Sequence, residues 1–264
     1  MCRFIVYWGN KPTRLSDWIL KSSNCLLEQS RHDRSHRPNP DGWGFTFREG
    51  EKLVLKKNSR PAFEDEEFRT AAKGIVTDLL FAHVRRKSQG TISLENTHPF
   101  VHEQWLFMHN GNIPNFEFYK NQLSSRLPRN SIINTEGTTD SEYLFKYFIY
   151  WFRQKINCDI YCILNIIYSI IHELIDLTDE DTRADLALNF MLSNGKFVLG
   201  FRRNRTLYYQ CSENSVIIAS EIIGPVENWN EVPENHFIVA TAPDHVQLAA
   251  YNIELKQESF SITT

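Results

Sequence analysis

Two sets of short apolar runs enclose a central stretch of helical periodicity, and that order limits the architectures open to the chain. The first set comprises residues 3–8, 44–47, 53–55, 79–84 and 105–109. The second comprises residues 185–192, 196–202, 206–210, 216–220, 236–241 and 246–255. Runs of this length bounded by turn residues read as strands. Helical spacing is predicted at 16–29, with Trp18, Ile19, Leu26 and Leu27 buried, at 116–123, from near Thr139, and at about 157–177. Thr139-Asp140-Ser141-Glu142 offers an N-cap oxygen and first-turn acids ahead of an apolar-periodic run. Sheets and amphipathic helices each need a partner for their apolar face, so the order strands, helices, strands predicts an α+β sandwich with helices outside. Residues 2–264 are expected to form one domain.

The 264 residues include 42% hydrophobic and 23% charged side chains, enough for a sizeable core. Disordered, collagen-like and disulfide-dense classes are excluded. A formal charge of −3 argues against a nucleic-acid partner. The most apolar stretch, 160–177, is interrupted by Asn165, Ser169, His172, Glu173 and Asp176, so a core helix is expected and no membrane partner. The first eight residues lack a basic region followed by an apolar run, which reads as no secretory signal. Five scattered cysteines suggest a reducing, cytoplasmic setting.

Cys2 follows the initiator Met. Once Met1 is removed, its α-amine, with a pKa of about 7.7–8.0, would sit beside its own thiol and place base and nucleophile on one residue. A chance cysteine in an edge strand is the plain alternative. Asn110-Gly111, after the strand through Met108, could present two donors to an oxyanion, or could be an ordinary hairpin turn. Arg85 ends another apolar run and could grip a carboxylate bidentately or lie on the surface. Asp140 could cap a helix or hold an ammonium. Among His83, His98, His102 and His109 the ligand spacing is poor, so no metal is expected. Cys158 and Cys162 read as core residues. Arg31, Arg34 and Arg37 form a solvated basic loop or attract an anionic substrate.

Taken in order, Cys2-Arg3-Phe4, Asp41-Gly42-Trp43-Gly44, Ala82-His83-Val84-Arg85, Asn96-Thr97-His98-Pro99-Phe100, His109-Asn110-Gly111 and Thr139-Asp140-Ser141-Glu142 resemble the class II glutamine amidotransferases, N-terminal nucleophile hydrolases. The chain looks most like the stand-alone YafJ type and is also similar to the amidotransferase subunit of the yeast alternative glutathione-degradation complex. Arg14-Leu15-Ser16, Ala219-Ser220-Glu221, Trp229 and Val232-Pro233 extend that similarity. The resemblance implies a four-layer αββα sandwich and no cofactor. It assigns Cys2 as nucleophile, Asn110 and Gly111 as oxyanion donors, Arg85 to the substrate α-carboxylate and Asp140 to its α-ammonium. His98 would shape the pocket. Arg86 stands where many synthase-linked members carry Trp, and its contact would be through the backbone. The implied substrate is glutamine or a γ-glutamyl peptide such as glutathione, with a partner peptidase or a synthase subunit as the implied protein partner. A scaffold that keeps the fold without catalysis is the remaining alternative.

Overall fold

The computed structural model describes residues 2–128 and 133–251. In chain order, β1 (Arg3–Arg14), α1 (Ser16–Leu20), α2 (Leu26–Arg31), β2 (Trp43–Glu49), β3 (Lys52–Asn58), α3 (Glu66–Gly74), β4 (Val76–Val84), β5 (Phe100–His102) and β6 (Trp105–Asn112) come first. Four helices follow: α4 (Phe116–Ser125), α5 (Asp140–Arg153), α6 (Ile160–Asp176) and α7 (Glu180–Arg183). The remaining strands are β7 (Ala187–Ser193), β8 (Val198–Arg202), β9 (Tyr208–Ser212), β10 (Ser215–Ala219), β11 (Asn230–Glu231), β12 (His236–Ala242) and β13 (His245–Ala250). Positions 252–255 of the expected last strand lie outside the described residues.

The strands form two antiparallel sheets, ordered β11-β9-β10-β1-β4-β2-β3 and β13-β12-β8-β7-β6-β5. Side chains alternate across a strand, so each sheet has two faces to cover. Phe4, Val6 and Trp8 of β1 join Leu106 and Met108 of β6 and Ile238 of β12 in a core between the sheets. Ile5 and Tyr7, one step out of phase, pack with Ile19, Leu26 and Phe68 of α1, α2 and α3. On the second sheet, Phe107 and Phe190 turn outward against α5 and α6, where Phe145, Phe148, Ile167 and Ile171 are fully buried. The result is the four-layer αββα sandwich.

The spacing predicted one helix over 16–29; the chain instead makes α1 and α2 with a break between them. Asn24 adopts φ 53° there, and its Nδ2 donates to the Ile222 carbonyl at 2.7 Å, an anchor that a continuous helix could not reach. The helix α3 carries no expectation from sequence; Asp65 caps it by accepting from the Glu67 N–H at 3.0 Å. Thr139 caps α5 as expected, accepting from the Glu142 N–H at 3.2 Å. The Glu142 carboxylate reaches back to the backbone N–H groups of Glu136 and Gly137. Of the two cysteines expected in the core, Cys158 packs against it from its edge and Cys162 does not join it. They are half-buried and joined by a disulfide across the start of α6, where one helical turn brings their Cα atoms to 5.3 Å. Among the described residues no helix is long and apolar enough to cross a membrane.

Candidate active site

Strand alternation decides what faces what. Cys2 lies two residues before Phe4, on the side facing the gap between the sheets. Asn110 lies two beyond Met108 and faces the same gap from the other sheet. Because β1 is antiparallel to β4 with Arg3 opposite Val84, the start of β1 meets the end of β4. Cys2 Sγ therefore sits against the Arg86 backbone, donating to its carbonyl at 3.3 Å and accepting from its N–H at 3.4 Å. Burial of the sulfur pushes the thiol above its ordinary value, with the Arg86 N–H, Arg85 and Arg3 pulling the other way.

Asn110 and Gly111 are neither a turn nor beyond the strand end; both lie inside β6, opposite Asn189 and Leu188 of β7. The Leu188 N–H donates to the Arg203 carbonyl at 3.1 Å, on the β8 side. Leu188 and Gly111 are thus a non-hydrogen-bonded pair, and the Gly111 N–H points to the opposite edge of β6. There β5 covers only Trp105 to Phe107, so that edge is unpaired by strand at Gly111. A Cβ at Gly111 would come within 2.0 Å of the Ala187 carbonyl oxygen, so the position admits only glycine. The Asn110 side chain is 2% exposed, and its Oδ1 has no hydrogen-bond partner. A buried polar group without a partner is costly unless a ligand supplies one.

His109 is buried between Ser141 Oγ at 2.9 Å and the Ala187 carbonyl at 3.0 Å. The carbonyl can only accept, so Nε2 carries the proton, and burial keeps the ring neutral by lowering its pKa. The contact ties the start of α5 to β6 and β7. Asp140, 2% exposed, accepts from the Ile113 N–H at 2.8 Å through Oδ2 and from the Ser141 N–H at 2.8 Å through Oδ1. Arg85, equally buried, donates to the carbonyls of Thr91 and Gln89, both at 2.9 Å, and so folds residues 86–91 back over itself. Burial lowers its pKa, while Cys2, Asp41 and Asp140 raise it. Cys2 and Asp140 are therefore both within electrostatic reach of Arg85.

Asp41 and Gly42 brace the same turn. The Asp41 N–H donates to the Arg85 carbonyl at 2.9 Å, and its Oδ2 accepts from Lys87 N–H at 2.8 Å. His98 makes no hydrogen bond; it stacks on His83 with ring centroids 4.3 Å apart. Burial first, then neighbouring positive groups, hold both imidazoles neutral, His83 at about 3. His98 is 3% exposed, with both ring nitrogens buried. Among the described residues no group of three or more His, Cys, Asp or Glu side chains could hold a metal ion.

One charged cluster joins residues whose pairing the sequence did not signal. Arg3, 3% exposed, pairs with Glu221 at 2.6 Å and Asp33 at 2.9 Å, and its Nη1 donates to the Cys2 carbonyl at 2.7 Å. Glu221 also accepts from the Arg34 N–H at 3.0 Å. The partners are 30 and 218 residues from Arg3, so only folding unites them.

Residues 20–213 match the family described as glutamine amidotransferases class-II. The chain belongs to this family. Among its relatives is the probable glutamine amidotransferase DUG3 of Saccharomyces cerevisiae, 34% identical over 160 residues. That alignment takes in 56% of this chain and 45% of DUG3, so the chain spans less than half of that relative. The gamma-glutamyl-hercynylcysteine sulfoxide hydrolase of Mycolicibacterium smegmatis is 26% identical over 243 residues, 90% of this amidotransferase and 95% of the hydrolase. A protein described as a glutamine aminotransferase class-II domain protein, from Silicibacter pomeroyi, shares the fold, with a TM-score of 0.65 at 19% identity over 95% of this chain and 99% of that one.

Proposed function

We propose that this class-II amidotransferase hydrolyses the γ-glutamyl amide bond of small γ-glutamyl peptides of the glutathione type through a thioester on Cys2. The observation that carries the reading is the end of β6, where the Asn110 amide, its Oδ1 unpartnered, is turned toward the sheet that presents Cys2 and the Gly111 N–H points to the free strand edge beside it. With Met1 removed, the Cys2 α-amine takes the thiol proton, which matters because burial pushes the thiol up and leaves little thiolate at neutral pH. Sulfur bonds to the γ-carbonyl carbon, and the oxyanion takes hydrogen bonds from Asn110 Nδ2 and the Gly111 N–H. Collapse breaks the C–N bond, and the ammonium of Cys2 returns its proton to the leaving amine. Water then attacks the thioester, releasing glutamate and restoring the thiol. Arg85 and Asp140 hold the α-carboxylate and α-ammonium of the glutamyl group, through the Arg85 N–H groups and Asp140 lone pairs that the protein leaves over. The near end-to-end match with a γ-glutamyl hydrolase supports release to water over delivery of ammonia to a synthase.

Intact mass spectrometry before and after 6-diazo-5-oxo-norleucine, an alkylating glutamine mimic, tests the site. The expected spectrum shows loss of Met1 and one adduct, mapped to Cys2; an adduct elsewhere, or none, overturns nucleophilic attack by Cys2. A kcat/KM for glutamine above that for γ-glutamyl-cysteinyl-glycine would move the assignment to ammonia supply. Asn110→Ala should lower kcat by roughly 10²–10³ with KM little changed, as for loss of one oxyanion donor. An unchanged kcat would remove Asn110 from the oxyanion site.

A further inference from the structure

A pocket of about 400 Å³ opens beside Asn110, within the range of small-ligand sites. Its wall carries Arg3, Arg34, Arg202 and Arg205 against one carboxylate, Glu234. Two of these arginines are already committed. Arg3 serves Asp33 and Glu221, while Arg202 pairs with Glu231 at 2.7 Å and Glu234 at 3.5 Å. The Glu234 carboxylate is further occupied by the Asn204 N–H at 2.7 Å. Arg34 and Arg205 differ. Among the described residues neither forms an ion pair; Arg34 Nη1 donates to the Tyr208 hydroxyl at 3.2 Å, and Arg205 Nη1 to the Asn204 carbonyl at 2.5 Å. Arg205 Nε is buried without a partner.

The loop carrying Arg205 is held in place. Asn189, fully buried opposite Asn110, donates to the Thr206 carbonyl at 3.1 Å and accepts from the Arg203 N–H at 2.8 Å. Asn204, at φ 61°, donates to the Ala184 and Leu186 carbonyls. Arg34 is fixed from the other side by its backbone bond to Glu221. Of the three arginines in the basic loop, only Arg34 reaches this pocket; Arg31 is taken by Glu28 at 2.7 Å.

We infer that Arg34 and Arg205 form a leaving-group subsite that binds the terminal carboxylate of the amine released from a γ-glutamyl peptide. The inference rests on the hydrolase reading above. With the glutamyl moiety held by Arg85 and Asp140 and its carbonyl at Asn110, the scissile nitrogen must lie on the far side of the carbonyl carbon. The pocket that shares Asn110 offers room for what that nitrogen carries. Two unpaired guanidiniums there favour an anionic tail, through charge-assisted and bidentate bonds, over a neutral one. A leaving group as small as ammonia would leave the subsite empty.

The test compares γ-glutamyl-cysteinyl-glycine with its C-terminal glycinamide. The wild-type protein should prefer the acid by roughly tenfold or more in kcat/KM, the scale of a hydrogen bond to a charged group. In Arg34→Ala/Arg205→Ala the preference should fall to near one through KM. Arg37→Ala, which removes the same charge from the same loop outside the pocket, should retain it. Equal use of both peptides by the wild type, or an undiminished preference in the double variant, would overturn the subsite. Should the double variant fail to fold, Arg34→Gln and Arg205→Gln singly should each erode the preference, and preferences left intact in both would count against it. Calorimetric binding of the two peptides to Cys2→Ala separates this inference from the reaction. Acid-selective binding without turnover in the wild type would sink the hydrolase reading and leave the subsite standing; equal binding would sink the subsite.

Discussion

Cys2→Ala should lower kcat/KM for γ-glutamyl peptide hydrolysis by roughly 10⁴-fold or more, the scale on which loss of a covalent nucleophile acts. The fold should tolerate the change, because the hydrogen bonds of Sγ go to the Arg86 backbone groups, at 3.3 and 3.4 Å, and to no other part of the described chain. Stability by urea unfolding should therefore stay within about 1 kcal/mol of the wild type, with the same m-value. Cys2→Ser keeps the geometry but offers a hydroxyl that the α-amine deprotonates poorly, and should be nearly as inactive. Retaining Met1 behind an N-terminal tag should silence the enzyme with the thiol intact, since the amine is then an amide. Together these measurements separate the thiol from the base. Turnover by Cys2→Ala would end the thioester mechanism, whereas full activity of an unprocessed tagged protein would end only the role of the amine.

The largest effect on stability is expected at Arg3. Its guanidinium is nearly inaccessible and answers two carboxylates, Asp33 and Glu221, which are themselves 2% and 3% exposed. Arg3→Met leaves both anions buried without their shared cation, an arrangement that costs about 3–5 kcal/mol in other buried ion pairs. Arg3→Lys should recover only part, because a single ammonium cannot span Asp33, Glu221 and the Cys2 carbonyl with fixed geometry. Adding Glu221→Gln to Arg3→Met should restore a fraction of the loss by removing one uncompensated charge, giving a coupling that a double-mutant cycle reads directly. A loss under about 1 kcal/mol for Arg3→Met would show that the cluster contributes little net stability. Since Arg3 also fixes the Cys2 carbonyl, its variants should lose kcat more than they raise KM, in protein still folded under assay conditions.

The fold and the site were legible to different depths. Thr139 and Asp140 announced the start of α5 because capping is local chemistry, and the observed cap is the expected one. The break between α1 and α2 was hidden because Asn24 is held in its left-handed conformation by Ile222, nearly two hundred residues away in sequence. The Asn110-Gly111 pair shows the limit most clearly. As a dipeptide it fits a hairpin turn as well as an oxyanion site, and only its pairing with Asn189 and Leu188 excludes the turn. That pairing also aims the Gly111 N–H at an unpaired strand edge. Arg34 was visible within a basic loop, yet nothing local distinguishes it from Arg31 or Arg37.

By itself the sequence determined the class of architecture and the chemical alphabet of the site, because periodicity, caps and residue types are properties of neighbours along the chain. Tertiary structure alone decided which sheet each strand joined. The last part of the chain sends β9, β10 and β11 back to the first sheet, where β10 lies beside β1, and gives β7, β8, β12 and β13 to the second. It also decided that Arg3 would meet Asp33 and Glu221, and that Arg205 would share a pocket with Asn110. Strand partners and buried charges are chosen by contacts between residues far apart in sequence, whose energy exists only once the two layers close on each other.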